Sequence, residues 1–310
     1  MTLQSAAHKL LTRHLGLRKG EIVVVVTDRK DCPIFRAVCK EVVGLGGELK
    51  KVRITTKRTN SQPLPHLRET FNQADIIIGV TDRSISHCPE TRIARKRYGT
   101  RVITMPGIDR KLFLKAMMAN QKRVKEIGDK LAEKLRRSGV VRITTPSGTN
   151  VTVRSLTSAV SVDDGDSTRK GRLNNLPYGE TCMAPINTAN GVIAIDFSKI
   201  SIRPRDKAKV MLRKGKIVEW NSKAKRLVDY LRKADGRKAL KVVELGFGTN
   251  PAHKKIYGKI VHDEKILGSV HIAFGGFGNA RKCKVHEDVV LLKPTVFFDN
   301  RLVINKGRIV

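Results

Sequence analysis

Apolar positions recur along this chain in two different rhythms, and the change between them divides it. The run Ile22–Thr27 is apolar almost without interruption, and Ile76–Val80 repeats the pattern. Runs without alternation predict strands buried on both faces. Residues 34–45 place Phe35, Val38, Val42 and Val43 on one helical face and stop at Gly46-Gly47, after which 48–55 predicts a second strand. A short helix over 69–74 precedes Ile76–Val80, and one over 90–98 ends at Gly99 before a strand over 101–105. Strands alternating with helices predict a parallel sheet covered on both faces. Residues 109–137 read as one long helix, with Val124, Ile127, Leu131 and Leu135 as its stripe and Lys122, Arg123, Lys125, Lys130, Lys134 and Arg136 opposite.

Beyond Ser138-Gly139 the rhythm shortens. Residues 140–145 and 151–156 flank Pro146-Ser147-Gly148-Thr149-Asn150 as a hairpin. Short strands follow over 191–200, 207–213, 216–221, 241–245, 270–274, 289–292, 295–299 and 302–304, with one helix over 222–234. The expected fold is α/β: an N-terminal parallel-sheet domain with flanking helices over 1–137, plus a C-terminal β-rich α+β domain over 138–310 that carries a metal site.

Charge changes the picture more than the other bulk properties do. The chain has 62 Lys+Arg against 28 Asp+Glu, a formal +34. Residues 1–137 hold 30 basic and 13 acidic side chains and 138–310 hold 32 and 15, so each half is +17. Such a surface attracts RNA, ribosomes and anionic membranes in a salt-dependent way, although a lineage-wide basic composition would look the same. No apolar stretch approaches the ~20 residues of a membrane span, and the N-terminus has no signal-peptide core. Five widely spaced cysteines without a CxxC pair predict reduced thiols, and together these features predict a cytoplasmic protein. No phosphate-binding glycine loop lies in strand-to-helix context, which disfavours a nucleotide enzyme.

Four segments of the second half place ionisable residues beside apolar strands: the turn Asn175-Leu176-Pro177-Tyr178-Gly179-Glu180; Glu244 before Gly246-Phe247-Gly248; His271 within Val270-His271-Ile272; and His286-Glu287-Asp288 before Val289. Such groups are costly to bury unless paired or metal-bound. In a strand His286 and Asp288 point to one side and Glu287 to the other, so the first two can share an ion. With His271 they make a two-histidine, one-carboxylate set suited to iron, manganese, zinc or cobalt. Glu180 and Glu244 would add carboxylate enough for two ions. Each residue alone has an ordinary structural explanation, as a core histidine, a turn residue or a partner for one of many Lys and Arg. The set requires the five side chains to converge, with no lysine or arginine between the glutamates and the imidazoles.

Together, NLPYGE, ELGFGTNP, DEKILGSVHIAFG and the closing HED…KPTVFFDN segment resemble the thermophilic-type M29 aminopeptidases and their relatives, the 2,5-dihydroxypyridine 5,6-dioxygenases; SISHCPETRIA and GTRVITMPGI extend the likeness into the first half. The aminopeptidase branch implies a hydrolase that removes N-terminal residues from peptides with a metal-activated water. Glu180, Glu244, His271, His286 and Asp288 would then ligate zinc, cobalt or manganese, in two ions bridged by Glu244, with Glu180 a ligand or the catalytic base. The dioxygenase branch implies one iron(II) on His271, His286 and Asp288, with Glu180 as acid/base beside a small aromatic substrate and O₂. A third reading is a non-catalytic nucleic-acid- or ribosome-binding protein on the same fold. Relatives of these enzymes are commonly homodimers. The chain departs from the peptidase pattern in lacking a tyrosine after Phe274, and from the dioxygenase pattern in lacking a histidine over 185–191. Only residues 272–285 separate the two histidines, and they include Arg281, Lys282 and Lys284, whose charges would favour an anionic substrate or weaken metal binding.

Overall fold

The buried run Ile22–Thr27 (β1) is the second strand of a five-stranded sheet whose order is β2 (Glu48–Arg53), β1, β3 (Ile76–Val80), β4 (Arg101–Thr104) and β8 (Leu173–Asn175). All four pairings are parallel. This computed structural model describes the chain except Thr59, Ser61, residues 155–158, Pro185, Asn187 and 278–280, and the side chain of Arg281.

The sheet belongs to a first compact unit, Met1–Gln121 with Asp163–Tyr178. Its helices are α1 (Leu3–Lys9), α2 (Pro33–Gly44), α3 (Arg68–Asn72), α4 (Pro89–Ile93) and α5 (Arg110–Met118). Proline opens α2 and α4 at the position where a missing N–H costs nothing. Val24, Val26, Ile77 and Val102 from the strands pack with Phe71, Ile85, Cys88 and Ala94 as one apolar cluster.

The second unit comprises Lys122–Val162 and Gly179–Val310. The compact units are thus drawn differently along the chain from blocks 1–137 and 138–310. The helix expected over 109–137 is two helices, α5 and α6 (Gln121–Arg136). Ala119 between them is extended, and its carbonyl accepts the Tyr178 hydroxyl (3.2 Å) instead of an amide one turn on.

Strands of the second unit form two antiparallel sheets. The larger contains β5 (Val140–Thr144), β6 (Asn150–Arg154), β10 (Asn190–Ile195), β12 (Ala208–Arg213), β13 (Lys216–Trp220), β17 (Thr295–Phe298), β18 (Arg301–Asn305) and β19 (Arg308–Ile309), in the order β13-β12-β10-β6-β5-β17-β18-β19. The smaller contains β7 (Ala159–Asp163), β9 (Glu180–Ala184), β11 (Phe197–Ser198), β14 (Val242–Gly248), β15 (Val270–Phe277) and β16 (Arg281–Leu291), in the order β11-β16-β15-β14-β9-β7. Two further helices are α7 (Lys225–Asp235) and the single turn α8 (Ile260–Asp263). The expected strand over 151–156 is observed to Arg154, and residues 155 and 156 lie outside the described residues.

One core joins both sheets. Ile143, Val151 and Val210 of the larger pack in one cluster with Leu245, Phe247, Ile272, Phe274 and Leu291 of the smaller, closed by Leu131 and Leu135 of α6 and Leu227 and Leu231 of α7. Because strand side chains alternate, committing these residues to the core commits their neighbours to the other face of the smaller sheet. Among the described residues no helix is long and apolar enough to cross a membrane.

The amphipathic fit of α6 is directly testable. Leu131→Ala deletes a buried contact and is expected to destabilise the fold by about 2–5 kcal/mol. Lys130→Ala, on the exposed face, should stay within about 0.5 kcal/mol. Urea unfolding measures both, and equal effects would show that the stripe is misassigned.

Candidate metal centre

The non-core face of the smaller sheet is built from short residues and ionisable ones. Its rungs pair Glu180 with Gly248, Cys182 with Gly246 and Gly246 with His271. Glu244 lies opposite Ala273, Ala273 opposite Asp288, and Gly275 opposite His286. Glu287 points to the opposite face, where it is fully buried and bonded to Lys199 at 2.7 Å. Thus β16 sends His286 and Asp288 one way and Glu287 the other.

Glycine at 246 is a steric requirement. A Cβ there would lie 2.1 Å from Cε1 and Nε2 of His271, so the imidazole lies directly across this backbone. At Gly248 a Cβ would lie 2.0 Å from the Ile266 carbonyl, so glycine admits the segment that carries Glu264 and Lys265. That segment is tied down by the amide of Asn250 on the Lys265 carbonyl (3.1 Å) and of Gly268 on the Gly248 carbonyl (2.9 Å).

All five residues singled out in the sequence come together. Nε2 of His271 is 3.3 Å from Glu180 Oε2 and 3.9 Å from Glu244 Oε1. Nε2 of His286 is 3.6 Å from Glu244 Oε2 and 3.4 Å from Asp288 Oδ1. Nδ1 of His286 donates to the Gly276 carbonyl (2.7 Å), which orients the ring and aims Nε2 at the carboxylates. Donor atoms bound to one ion at ~2.1 Å stand roughly 3.0–3.4 Å apart, so these separations fit a shared cation after small adjustments. One ligand atom each from Glu180, Glu244 and His271 fits within 4.8 Å, as does one each from Glu264, His271 and Asp288. The residues present therefore suit a divalent metal.

Two details differ from the sequence reading. The sequence puts Glu180 at the end of a turn, whereas it opens β9 and is 8% exposed, because Gly179 packs against Asn250 and leads the chain straight into the sheet. Lys282 and Lys284, expected near the metal, are exposed, and the Arg281 side chain lies outside the described residues.

Sequence reasoning missed Glu264, Lys265 and Cys182. Lys265 is fully buried, and its ammonium lies 2.7 Å from Glu180 Oε1 and 2.9 Å from Glu264 Oε1. It binds the Glu180 oxygen opposite the one that faces His271, so it flanks the cluster and does not separate glutamate from imidazole. The signal was the Asp263-Glu264-Lys265 run just ahead of an apolar strand, the same kind of feature that pointed to His286. The Cys182 thiol lies 3.1 Å from the Ser161 hydroxyl, and burial together with Glu244 and Glu180 raises it well above its ordinary range.

The carboxylates govern the protonation of the cluster. Burial alone would lower both imidazoles. The neighbouring Glu244 carboxylate and the charges of Glu180, Glu264 and Asp288 outweigh it at His271, which rises to about 9. Asp288, Glu244 and the Gly276 carbonyl raise His286 to about 10. Burial would raise Asp288, but its imidazolium neighbours hold it well below the usual carboxylate range. Burial pushes Glu264 up to about 7 despite the opposing charge of Lys265. Without a metal, protons on the imidazoles supply the positive charge that the carboxylates demand.

A family profile described as NicX, 2,5-dihydroxypyridine 5,6-dioxygenase, matches residues 11–310. The 2,5-dihydroxypyridine dioxygenase of Pseudomonas putida KT2440 superposes with a TM-score of 0.82 at 15% identity, over 99% of this chain and 96% of that one. Wild-type AmpT of Thermus thermophilus, an M29 aminopeptidase, superposes with a TM-score of 0.67 at 16% identity, over 99% and 98%. At these identities the likeness is one of fold, and it matches the expected mixed α/β architecture. No curated protein matches the chain by sequence.

The imidazoles make a pH prediction for chelator-treated protein. Because folding raises both above the ordinary 6.5, their protonation stabilises the metal-free fold fully below pH ~6.5 and ceases to as pH climbs through 9 to 10. The thermal midpoint should fall between about pH 7 and pH 10, and less steeply in a His271→Gln/His286→Gln double variant. Calorimetry across that range is the check; a midpoint rising with pH would mean that both rings are neutral.

Proposed function

The chain belongs to the NicX family, and from that premise we propose that it is a mononuclear iron(II) dioxygenase that opens the ring of a small hydroxylated aromatic compound. His271, His286 and Asp288 would hold the ion, with Glu244 beside it and Glu180 serving as acid/base. The observation that carries this reading is the position of Lys265. Its ammonium already neutralises one side of Glu180, while both imidazole Nε2 atoms and Asp288 gather around Glu244 on the other side. A second dication at Glu180 would stand against that ammonium, whereas one ion between the imidazoles and Asp288 would not.

Iron(II) bound there would supply the redox chemistry that lets O₂ react with an aromatic ring. Both atoms of O₂ would join the carbons of the cleaved bond, so no outside reductant is needed. The protein's own groups handle protons and position. Oε1 of Glu180 is held by Lys265, which leaves Oε2, on the His271 side, to accept a proton from a substrate hydroxyl. The Gly276 carbonyl fixes the His286 ring. Gly246 lets the His271 ring lie against the sheet.

A second reading, a two-metal aminopeptidase using zinc, cobalt or manganese on a peptide, has one observation in its favour. The Glu180–Glu244–His271 and Glu264–His271–Asp288 groups overlap at His271 and offer ligand sets on both sides of it.

Metal content and one substitution separate the readings. Protein purified without oxygen should hold one iron per chain, lost in His271→Ala, and should consume O₂ with dihydroxylated pyridines or phenols. Two zinc or cobalt ions with release of amino acids from peptides would overturn the dioxygenase proposal. Glu180→Gln removes the acid/base and leaves the proposed ligands in place. Its iron should remain near one per chain while kcat falls about 10²–10⁴-fold. If Glu180 were instead a ligand, the same variant would lose metal.

A further inference from the structure

Away from the metal cluster, the edge strand β13, the C-terminal turn of α7 and the segment leading into β14 enclose a groove of about 620 Å³. Lys216, Arg232, Arg237, Lys238 and Lys241 line it together with Trp220, over Ile217 and Leu240. Lys216 and Lys241 face each other across an antiparallel bridge, anchored where the Ile217 amide donates to the Leu240 carbonyl (3.0 Å). The Arg232 guanidinium lies 4.6 Å from the Trp220 ring centroid.

Two observations distinguish this groove from a basic surface in general. Two other grooves, beside α6, are also lined by lysine and arginine but interleave acids, Glu126 in one and Glu133 with Asp299 in the other, whereas no acidic side chain lines this one. None of its five cations takes part in an ion pair among the described residues. One carboxylate, Asp235, acts on Lys238 from outside the lining, and it accepts a hydrogen bond from the Lys284 amide (3.1 Å). Five cations held together without an ion pair among them repel one another, and a ligand carrying several negative charges relieves that repulsion.

We propose that this groove binds single-stranded nucleic acid, its phosphates along the Lys216–Lys241 and Arg237–Lys238 rims and a base against the Trp220 wall. Spaced phosphates match cations contributed by three chain segments. An aromatic and guanidinium surface at the centre suits a flat base, which a lipid headgroup does not provide. The site stands apart from the metal chemistry and does not depend on it.

Trp220 is the chain's only tryptophan, so its fluorescence reports on this groove alone. The probe is a ten-nucleotide oligouridylate, titrated at about 50 and 200 mM salt. Saturable quenching is expected. The double variant Arg237→Glu/Lys238→Glu should weaken binding at least about tenfold and flatten the salt dependence. Lys130→Glu/Lys134→Glu, an equal charge reversal on α6, should change affinity less than about twofold. Thermal midpoints confirm that both variants fold. Equal weakening by the two reversals would show attraction to the whole charged surface and overturn the proposal. So would unchanged Trp220 emission on binding, or stronger quenching by phosphatidylserine vesicles than by the oligonucleotide.

Discussion

Taking carboxylates out of water is the constraint on which this molecule's site depends. Glu180, Glu244, Glu264 and Asp288 crowd one face of a sheet whose other face is committed to an apolar core. Four such groups coexist only if positive charge is supplied among them. The protein supplies part of it permanently, through the Lys265 ammonium, and part through imidazoles whose ring nitrogens can carry either a proton or a metal. The need for positive charge at this place follows from the arrangement of the sheet and of the segment that brings in Glu264 and Lys265.

The short residues beside these groups complete the arrangement. Gly246 and Gly248 allow an imidazole and a loop carbonyl to approach the backbone more closely than any side chain would permit. Opposite them, Leu245 and Phe247 fill the core. One strand therefore serves a packed interior and a polar cluster at once, because its side chains alternate.

Much of this could be read in the sequence. The parallel sheet was legible because Ile22–Thr27 and Ile76–Val80 are apolar almost throughout and do not alternate, which suits strands covered on both sides. The five clustered residues were legible because ionisable groups stood out against apolar strands. The break between α5 and α6 was not legible: Ala119-Asn120 contains neither glycine nor proline, and what turns the chain is a distant tyrosine hydroxyl. Glu264 and Lys265 sit in a turn without periodicity, and their importance comes from a partner far away in sequence. The burial of Glu180 was hidden for a similar reason, since Pro177-Tyr178-Gly179 looks like an exposed corner until Asn250 is seen against it.

The strand that carries His286 and Asp288 also carries Glu287, held on the reverse side by Lys199. A slip of one residue in its pairing would turn both ligand-type residues into the greasy interior and present valines to the carboxylates. Such a chain could satisfy neither side of the sheet. The back-to-back placement thus ties the alignment of this strand to its charges: the observed register alone keeps Glu287 on Lys199 while His286 and Asp288 stay among the carboxylates.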